Sequence, residues 1–207
     1  MKRFITIFTF AMLTIGLSAQ DISLPKPAKT GGKPLMEALN SRATIRSIAE
    51  KPLSMELLSN LLWAATGINR PDGRMTAPTA SNNQEIDVYL FLPQGIYLYD
   101  VQNHSLIFKM EGDHRKTASP RQGAPSGVLM IFVADYGRMG RYDNASKELY
   151  SATDTGYVSQ NVYLFCASEG LATVALGGID RPAIMELLNI SNGKVVLGQS
   201  VGYPAGS

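Results

Sequence analysis

Ile86-Asp87-Val88-Tyr89-Leu90-Phe91-Leu92 is followed by Pro93-Gln94-Gly95 and then by Ile96-Tyr97-Leu98-Tyr99-Asp100. β-Branched and aromatic residues fill both runs and a Pro/Gly turn separates them, the pattern of two strands folded back as a hairpin. Residues 105–110 add a shorter strand. The stretch 127–134 (GVLMIFVA) is continuously apolar and reads as a central strand buried on both faces. Residues 171–176 and 194–203 supply two more strands. Helical patterns precede the hairpin and alternate with the later strands. This order predicts an α+β protein with a central, mostly antiparallel or mixed sheet flanked by helices. A Rossmann sheet is disfavoured, because no glycine-rich phosphate turn follows the first strand.

The helices have recognisable ends. Pro34 suits the first position of a short helix over 34–40, with Leu35 and Leu39 on one face. Ser54 caps the next, which places Leu57, Leu58, Leu61, Leu62 and Ala65 on an apolar face; Gly67 stops it, and Trp63 reads as a core residue. The helix over 150–169 is the most apolar. Val158, Val162, Phe165 and Cys166 lie on one side, while Gln160 and Asn161 bring in amides that need partners, either across a subunit interface or from neighbouring backbone. Gly170 ends it. Asp180 caps a last helix to Ile190.

With 207 residues, 45% apolar and 17% charged, the chain fits one ordinary globular domain. The first nineteen residues differ. Lys2 and Arg3 precede the apolar run 5–17, and Leu17-Ser18-Ala19 offers a small residue for cleavage, the pattern of a secretory signal peptide and too short for a comfortable membrane span. An uncleaved anchor is the competing reading. Losing 1–19 removes two of 19 Lys+Arg and leaves 17 against 17 Asp+Glu, so overall charge gives no reason to expect nucleic acid. The expected organisation is therefore a leader over 1–19, a Pro- and Gly-rich flexible lead-in over 20–33, and a domain over 34–207. The address is exported and periplasmic. The single cysteine, Cys166, allows no intramolecular disulfide and reads as a small buried hydrophobe. His104 and His114 lack metal-ligand spacing, so no metal is expected.

Ser41-Arg42-Ala43-Thr44-Ile45-Arg46 concentrates two guanidiniums and a hydroxyl. In an extended segment Arg42, Thr44 and Arg46 project to one side. Arg presents a planar fork to a phosphate, and Thr adds a donor. Two readings fit: a clamp for a phosphate monoester, or a solvated basic turn. The long loop over 69–84 offers further polar groups, ending in Pro78-Thr79-Ala80-Ser81-Asn82-Asn83-Gln84.

Taken together and in order, these stretches resemble the FMN-dependent nitroreductase family, over about 34–204. Arg42-Ala43-Thr44-Ile45-Arg46 is similar to its Arg-Arg-Ser-x-Arg opening, which grips the phosphate and ribityl chain of FMN. Residues 78–84 resemble its Pro-Ser-x-x-Asn-x-Gln loop, with Asn82 at the flavin-contacting Asn. The stretch from Glu169 to Gly178 resembles its Gly-Leu strand and following turn, which lie against the flavin ring near N5. Leu187-Leu188-Asn189-Ile190 and Val201-Gly202-Tyr203-Pro204 are similar to its closing helix and strand. The resemblance implies an intertwined homodimer with FMN at the interface, held by Arg42, Ala43, Thr44, Arg46, Pro78, Thr79, Ala80, Asn82, Gln84, Leu176, Gly177 and Gly178. It also implies ping-pong hydride transfer from a donor such as NAD(P)H to a quinone, nitroaromatic or similar acceptor. No protein side chain is assigned as catalytic; the flavin carries the chemistry. Three alternatives remain open: an exported flavin-binding module without turnover, a flavin-dependent oxidase/dehydrogenase of the thiazoline/oxazoline-forming branch, and an exported structural or interaction protein with no cofactor. The departures are Ala43 for the second Arg, Thr44 for Ser, Gly177 where some members are acidic, and no Lys-x-Arg after Gly202-Tyr203-Pro204. The resemblance then puts more of the phosphate charge on Arg42 and Arg46, helped by Arg181 or a basic residue of a partner subunit.

Overall fold

The computed structural model describes residues 20–120 and 127–206; the expected leader and part of the polar segment 112–125 lie outside the described residues. Seven strands form one sheet: β1 (Ile22–Ser23), β2 (Ile86–Leu92), β3 (Gly95–Asp100), β4 (Ser105–Glu111), β5 (Val128–Asp135), β6 (Ala172–Leu176) and β7 (Gly193–Gly202). Their order is β1-β4-β3-β2-β5-β7-β6, and every pairing is antiparallel. The hairpin folds as read, with Leu92 opposite Gly95. A Cβ at Gly95 would come 2.5 Å from the Met110 carbonyl, so the turn admits no side chain there.

Five helices cover the sheet: α1 (Leu35–Ser41), α2 (Met55–Thr66), α3 (Arg115–Ala118), α4 (Asn144–Glu169) and α5 (Arg181–Leu187). The two-residue period of β5 divides its side chains between two cores. Val128, Met130, Phe132 and Ala134 meet Leu58, Leu61 and Leu62 of α2 and Val158, Val162 and Cys166 of α4. Leu129, Ile131 and Val133 meet Ala118 of α3 and Ile184 of α5 on the other face. This double burial explains why the stretch lacks polar alternation.

The caps follow the sequence. Ser54 accepts from the Leu57 N–H at 3.2 Å, and the Asp180 carboxylate from Ala183 at 3.1 Å. Gly170 closes α4 at φ 68°, a left-handed conformation that costs glycine little. The last helix stops earlier than its expected end at Ile190. Asn189 adopts φ 51°, and the Ile190 N–H returns to the Met185 carbonyl at 3.0 Å, an Asn-based left-handed stop. Trp63 is half-buried rather than a core residue; its indole N–H donates to the Ile68 carbonyl at 3.1 Å, and the Lys29 ammonium lies 5.6 Å from its ring centre.

Residues 20–33 lie along the domain. β1 pairs with the edge strand β4, and the Lys33 N–H donates to Ser168 at 2.8 Å. His104 pins this strap. One ring nitrogen, Nδ1, meets the Tyr99 hydroxyl at 2.8 Å; Nε2 lies 2.7 Å from Ser59 Oγ and 3.1 Å from the Pro25 carbonyl. A neutral imidazole satisfies all three contacts, and burial holds His104 below the usual imidazole range, with the Lys29 charge acting the same way and the Pro25 bond opposing it. The folded state therefore binds its proton less readily than the unfolded chain. Stability present above the ordinary pKa of about 6.5 should be lost as pH falls below it and through the lower folded value. Melting curves of wild type and His104→Gln should converge with acid; parallel curves across the range would contradict the assignment.

Candidate functional site

The Arg42–Arg46 segment is extended and closes the free edge of β6, at the end of the sheet. The Ile45 N–H donates to the Thr173 carbonyl at 2.9 Å. Further along, Ala49 donates to the Tyr203 carbonyl at 2.8 Å and Ala205 to the Ser47 carbonyl at 3.0 Å, beside an Ile48–Pro204 bridge. Side chains alternate, as the spacing predicts. Arg42 stacks over the Tyr163 ring, 5.4 Å from its centre, and the Thr44 hydroxyl is 3.1 Å from the Tyr163 hydroxyl. That phenol oxygen also accepts the Ala175 N–H at 3.0 Å. Tyr163 accepts from Ala175, and either hydroxyl can donate in its contact with Thr44; when Tyr163 donates, the Thr44 proton is free for a ligand.

Among the described residues no carboxylate pairs with Arg42 or Arg46. Two unpaired guanidiniums on one short segment form a local positive surface. Groups of Thr173 and Ala175 facing outward from β6 serve Ile45 and Tyr163, and the strand ends at Leu176, where the chain turns at Gly177. Gly177 and Gly178 are exposed, and a Cβ at either would meet nothing within 4 Å. The clamp therefore lies along the edge of β6, the strand that leads into the Leu176-Gly177-Gly178 turn, and the turn has open space beside it.

Arg181 does not join the clamp. Its guanidinium donates to the Gly177 carbonyl at 3.1 Å, Val195 at 3.1 Å and Val196 at 2.8 Å. Three backbone carbonyls outcompete a role at the phosphate. This departs from the sequence expectation, which had no means of seeing those carbonyls.

The loop over residues 78–84 is held separately. Ser81, Asn82 and Gln84 take φ values of 51°, 56° and 51°. Left-handed non-glycine residues cost of order 1–3 kcal/mol each and persist only where the surroundings fix them. Here the fixing contacts are visible. The Asp154 carboxylate accepts the Ala80 N–H at 2.8 Å, Thr79 Oγ1 accepts the Gln84 N–H at 2.9 Å, and Arg138 donates to the Gln84 carbonyl at 2.6 Å. Ser81 meets the Tyr142 hydroxyl at 2.6 Å. Pro78, Ser81 and Asn82 are exposed, while Thr79, Ala80 and Gln84 are half-buried.

The two clusters share α4. Asp154 anchors the loop and Tyr163 the clamp, nine residues apart and therefore about 14 Å along the helix. Sequence reasoning missed both anchors. Tyr163 was open to discovery as a polar aromatic within the apolar run 162–167, but nothing in the chain marks its partners.

Burial pushes the Cys166 thiol up to about 12, so it holds its proton at neutral pH. Among the described residues no group of three His, Cys, Asp or Glu side chains has a metal-binding arrangement.

Comparison with known proteins places this geometry in context. The Nitroreductase family model matches residues 39–203. The crystal structure of a putative nitroreductase from Ralstonia eutropha is 36% identical, covers 93% of each chain and superposes with a TM-score of 0.87. A Methanocaldococcus jannaschii protein named as a putative nitroreductase is 29% identical over 174 residues, 79% of this chain and 88% of that one. The NADPH:FMN oxidoreductase of Vibrio harveyi, complexed with NAD+, is 20% identical, covers 83% of this chain and 69% of that chain, and has a TM-score of 0.61, a likeness of fold.

Proposed function

The chain belongs to the nitroreductase family, and from that premise we propose that it is an FMN-dependent oxidoreductase passing hydride from a reduced donor, NAD(P)H or a substitute, to a quinone, nitroaromatic or similar acceptor. The observation that carries this reading is the pair of guanidiniums without an ion-pair partner on the segment that lines the edge of β6, the strand that runs into the open Gly177-Gly178 turn. The residues present fit the cofactor. Arg42 and Arg46 supply forked donors for a phosphate, Thr44 adds a hydroxyl, and the absence of side chains at Gly177 and Gly178 lets a flat ring approach the backbone.

Bound there, FMN would supply the two-electron chemistry, and the protein binds and orients it. Arg42 is braced for this by the Tyr163 ring, and Thr44 by the Tyr163 hydroxyl. The open backbone at Gly177 and Gly178 would let main-chain N–H groups serve a ring nitrogen without moving a side chain aside. Across α4, the strained loop offers the exposed Asn82 side chain, while the backbone groups of Thr79, Ala80 and Gln84 are spent on holding the loop in shape.

A second copy of the chain completes the proposal. Leu35 and Met36 of α1 are 63% and 74% exposed, Leu149 of α4 is 63% exposed, and Tyr157 is also open. Such apolar side chains on two adjoining helices call for a partner. With Gly156 and Gln160 exposed between them, α4 has a face that admits close packing. A monomer at micromolar concentration by sedimentation equilibrium would contradict the homodimer.

Residues 1–19 are proposed as a cleaved leader, which N-terminal sequencing of exported protein would show. No helix of the described residues is long and apolar enough to cross a membrane. Export is the one feature favouring the second reading, a different donor or an oxidative reaction, because NAD(P)H is cytoplasmic. Anaerobic addition of NADPH or NADH to FMN-loaded protein should bleach the flavin, and a quinone should restore it. Flavin that binds but stays oxidised with both would reject hydride transfer from NAD(P)H in favour of the binding module or the oxidase branch.

A further inference from the structure

Glu85 follows directly on the strained loop and is wholly buried; among the described residues neither of its carboxyl oxygens has a hydrogen-bond partner. A buried carboxylate without a partner is among the costlier arrangements in a protein. Its charged neighbours are Asp154 of α4 and Arg138, which follows β5. Arg138 is already engaged by Asp87, Asp135 and the Gln84 carbonyl. Asp154 is buried as well, and its Oδ2 holds the Ala80 N–H at 2.8 Å. Two buried carboxyl groups that neighbour one another, with one arginine spent elsewhere, cannot both ionise cheaply.

We propose that Glu85 and Asp154 share one proton and that this pair is a positioning device for the loop over residues 79–84, an inference that rests on reading that loop as part of the FMN site. With the proton on Glu85, Asp154 remains a carboxylate and keeps its hold on Ala80, immediately before the left-handed Ser81 and Asn82. When the proton leaves, the two charges repel and that hold loosens. Burial, followed by the contact with Asp154, raises the Glu85 carboxyl to about 7, so the change falls near neutrality. An acid whose folded pKa is raised contributes most below its unfolded value and loses that contribution as pH rises through the folded one. Loop order, and FMN affinity with it, therefore weakens above neutrality. The second ionisation of the FMN phosphate acts oppositely at the arginines, so the informative quantity is wild type relative to Glu85→Gln.

Glu85→Gln supplies an N–H donor to Asp154 at every pH and imitates the protonated acid. Fluorescence titration with FMN at pH 6, 7 and 8 should give a wild-type Kd that rises relative to the variant, by at most about tenfold per pH unit for one linked proton. Infrared spectra of the flavin-free protein should show a carboxylic-acid C=O band at pH 6 that fades through neutrality and is missing in Glu85→Gln. Asp154→Asn, which offers Glu85 an amide donor, should abolish the same band and the same pH dependence. Protection of the Ala80 amide in flavin-free wild type should fall above neutrality beyond the intrinsic trend, and not in Glu85→Gln. A band absent at pH 6, or a wild-type-to-variant ratio of Kd constant with pH, overturns the proposal. Wild type that binds no FMN defeats the functional reading instead, and the infrared band and amide protection then decide the carboxyl pair alone.

Discussion

Replacing both clamp arginines, in Arg42→Ala/Arg46→Ala, should weaken FMN binding by about two to four orders of magnitude while leaving the fold in place. Hydrogen bonds to charged groups contribute about 1.5–3 kcal/mol each, so removing two guanidiniums takes away about 3–6 kcal/mol at roughly 1.4 kcal/mol per decade. The folded chain should tolerate the change. Among the described residues neither side chain has an ion-pair partner, and the double substitution chiefly removes the stacking of Arg42 over Tyr163, worth about 0.5–1 kcal/mol at an exposed site. Fluorescence titration gives the affinity and thermal melting the stability. If the segment were only a solvated basic turn, the double variant would change Kd by less than about tenfold, the scale of exposed charge interactions. The wild-type affinity should also fall with added salt, and the variant's should respond less.

The largest effect on stability should come from Phe132→Ala, at about 3–5 kcal/mol. Phe132 is fully buried at the centre of β5, between Val88 of β2 and Leu197 of β7, on the face that α2 and α4 cover. Truncation leaves a cavity that three paired strands cannot collapse around. At about 2–4 °C per kcal/mol for a chain of this length, Tm should fall by roughly 6–20 °C. Leu149→Ala is the control: its side chain is exposed on α4, so its truncation should leave the packing of one chain intact and, if the proposed dimer forms, weaken association instead. A Phe132→Ala melting point within about 2 °C of wild type, on the order of a surface substitution, would contradict the placement of the core.

Local signals were legible in the sequence where local physics decides the outcome. The Pro93-Gln94-Gly95 turn, the Ser54 and Asp180 caps and the Gly170 stop depend on neighbours a few residues away. The two-sided burial of β5 was legible from its unbroken apolar run; the spacing of Arg42, Thr44 and Arg46 told which way they would point in an extended segment but not that the segment is extended. Contacts between distant segments were not. Arg181 looks like any free cation until Val195 and Val196 are placed beside it. Tyr163 gains its meaning only from Thr44, 119 residues away. Glu85 reads as an ordinary polar residue opening a strand, since nothing in the chain brings it to Asp154. The helical period says that Asp154 falls on the buried side of α4 but does not say what waits there. Helix ends governed by a non-glycine left-handed residue, such as Asn189, also escape a reading tuned to glycine.

The central claim is that this chain holds FMN, and the visible absorption spectrum of the purified protein, before and after incubation with FMN and removal of the free flavin, tests it most directly. The account predicts a flavin spectrum retained by the protein at no more than one FMN per chain, and lost from Arg42→Ala/Arg46→Ala. Folded wild-type protein that stays colourless after incubation would contradict it.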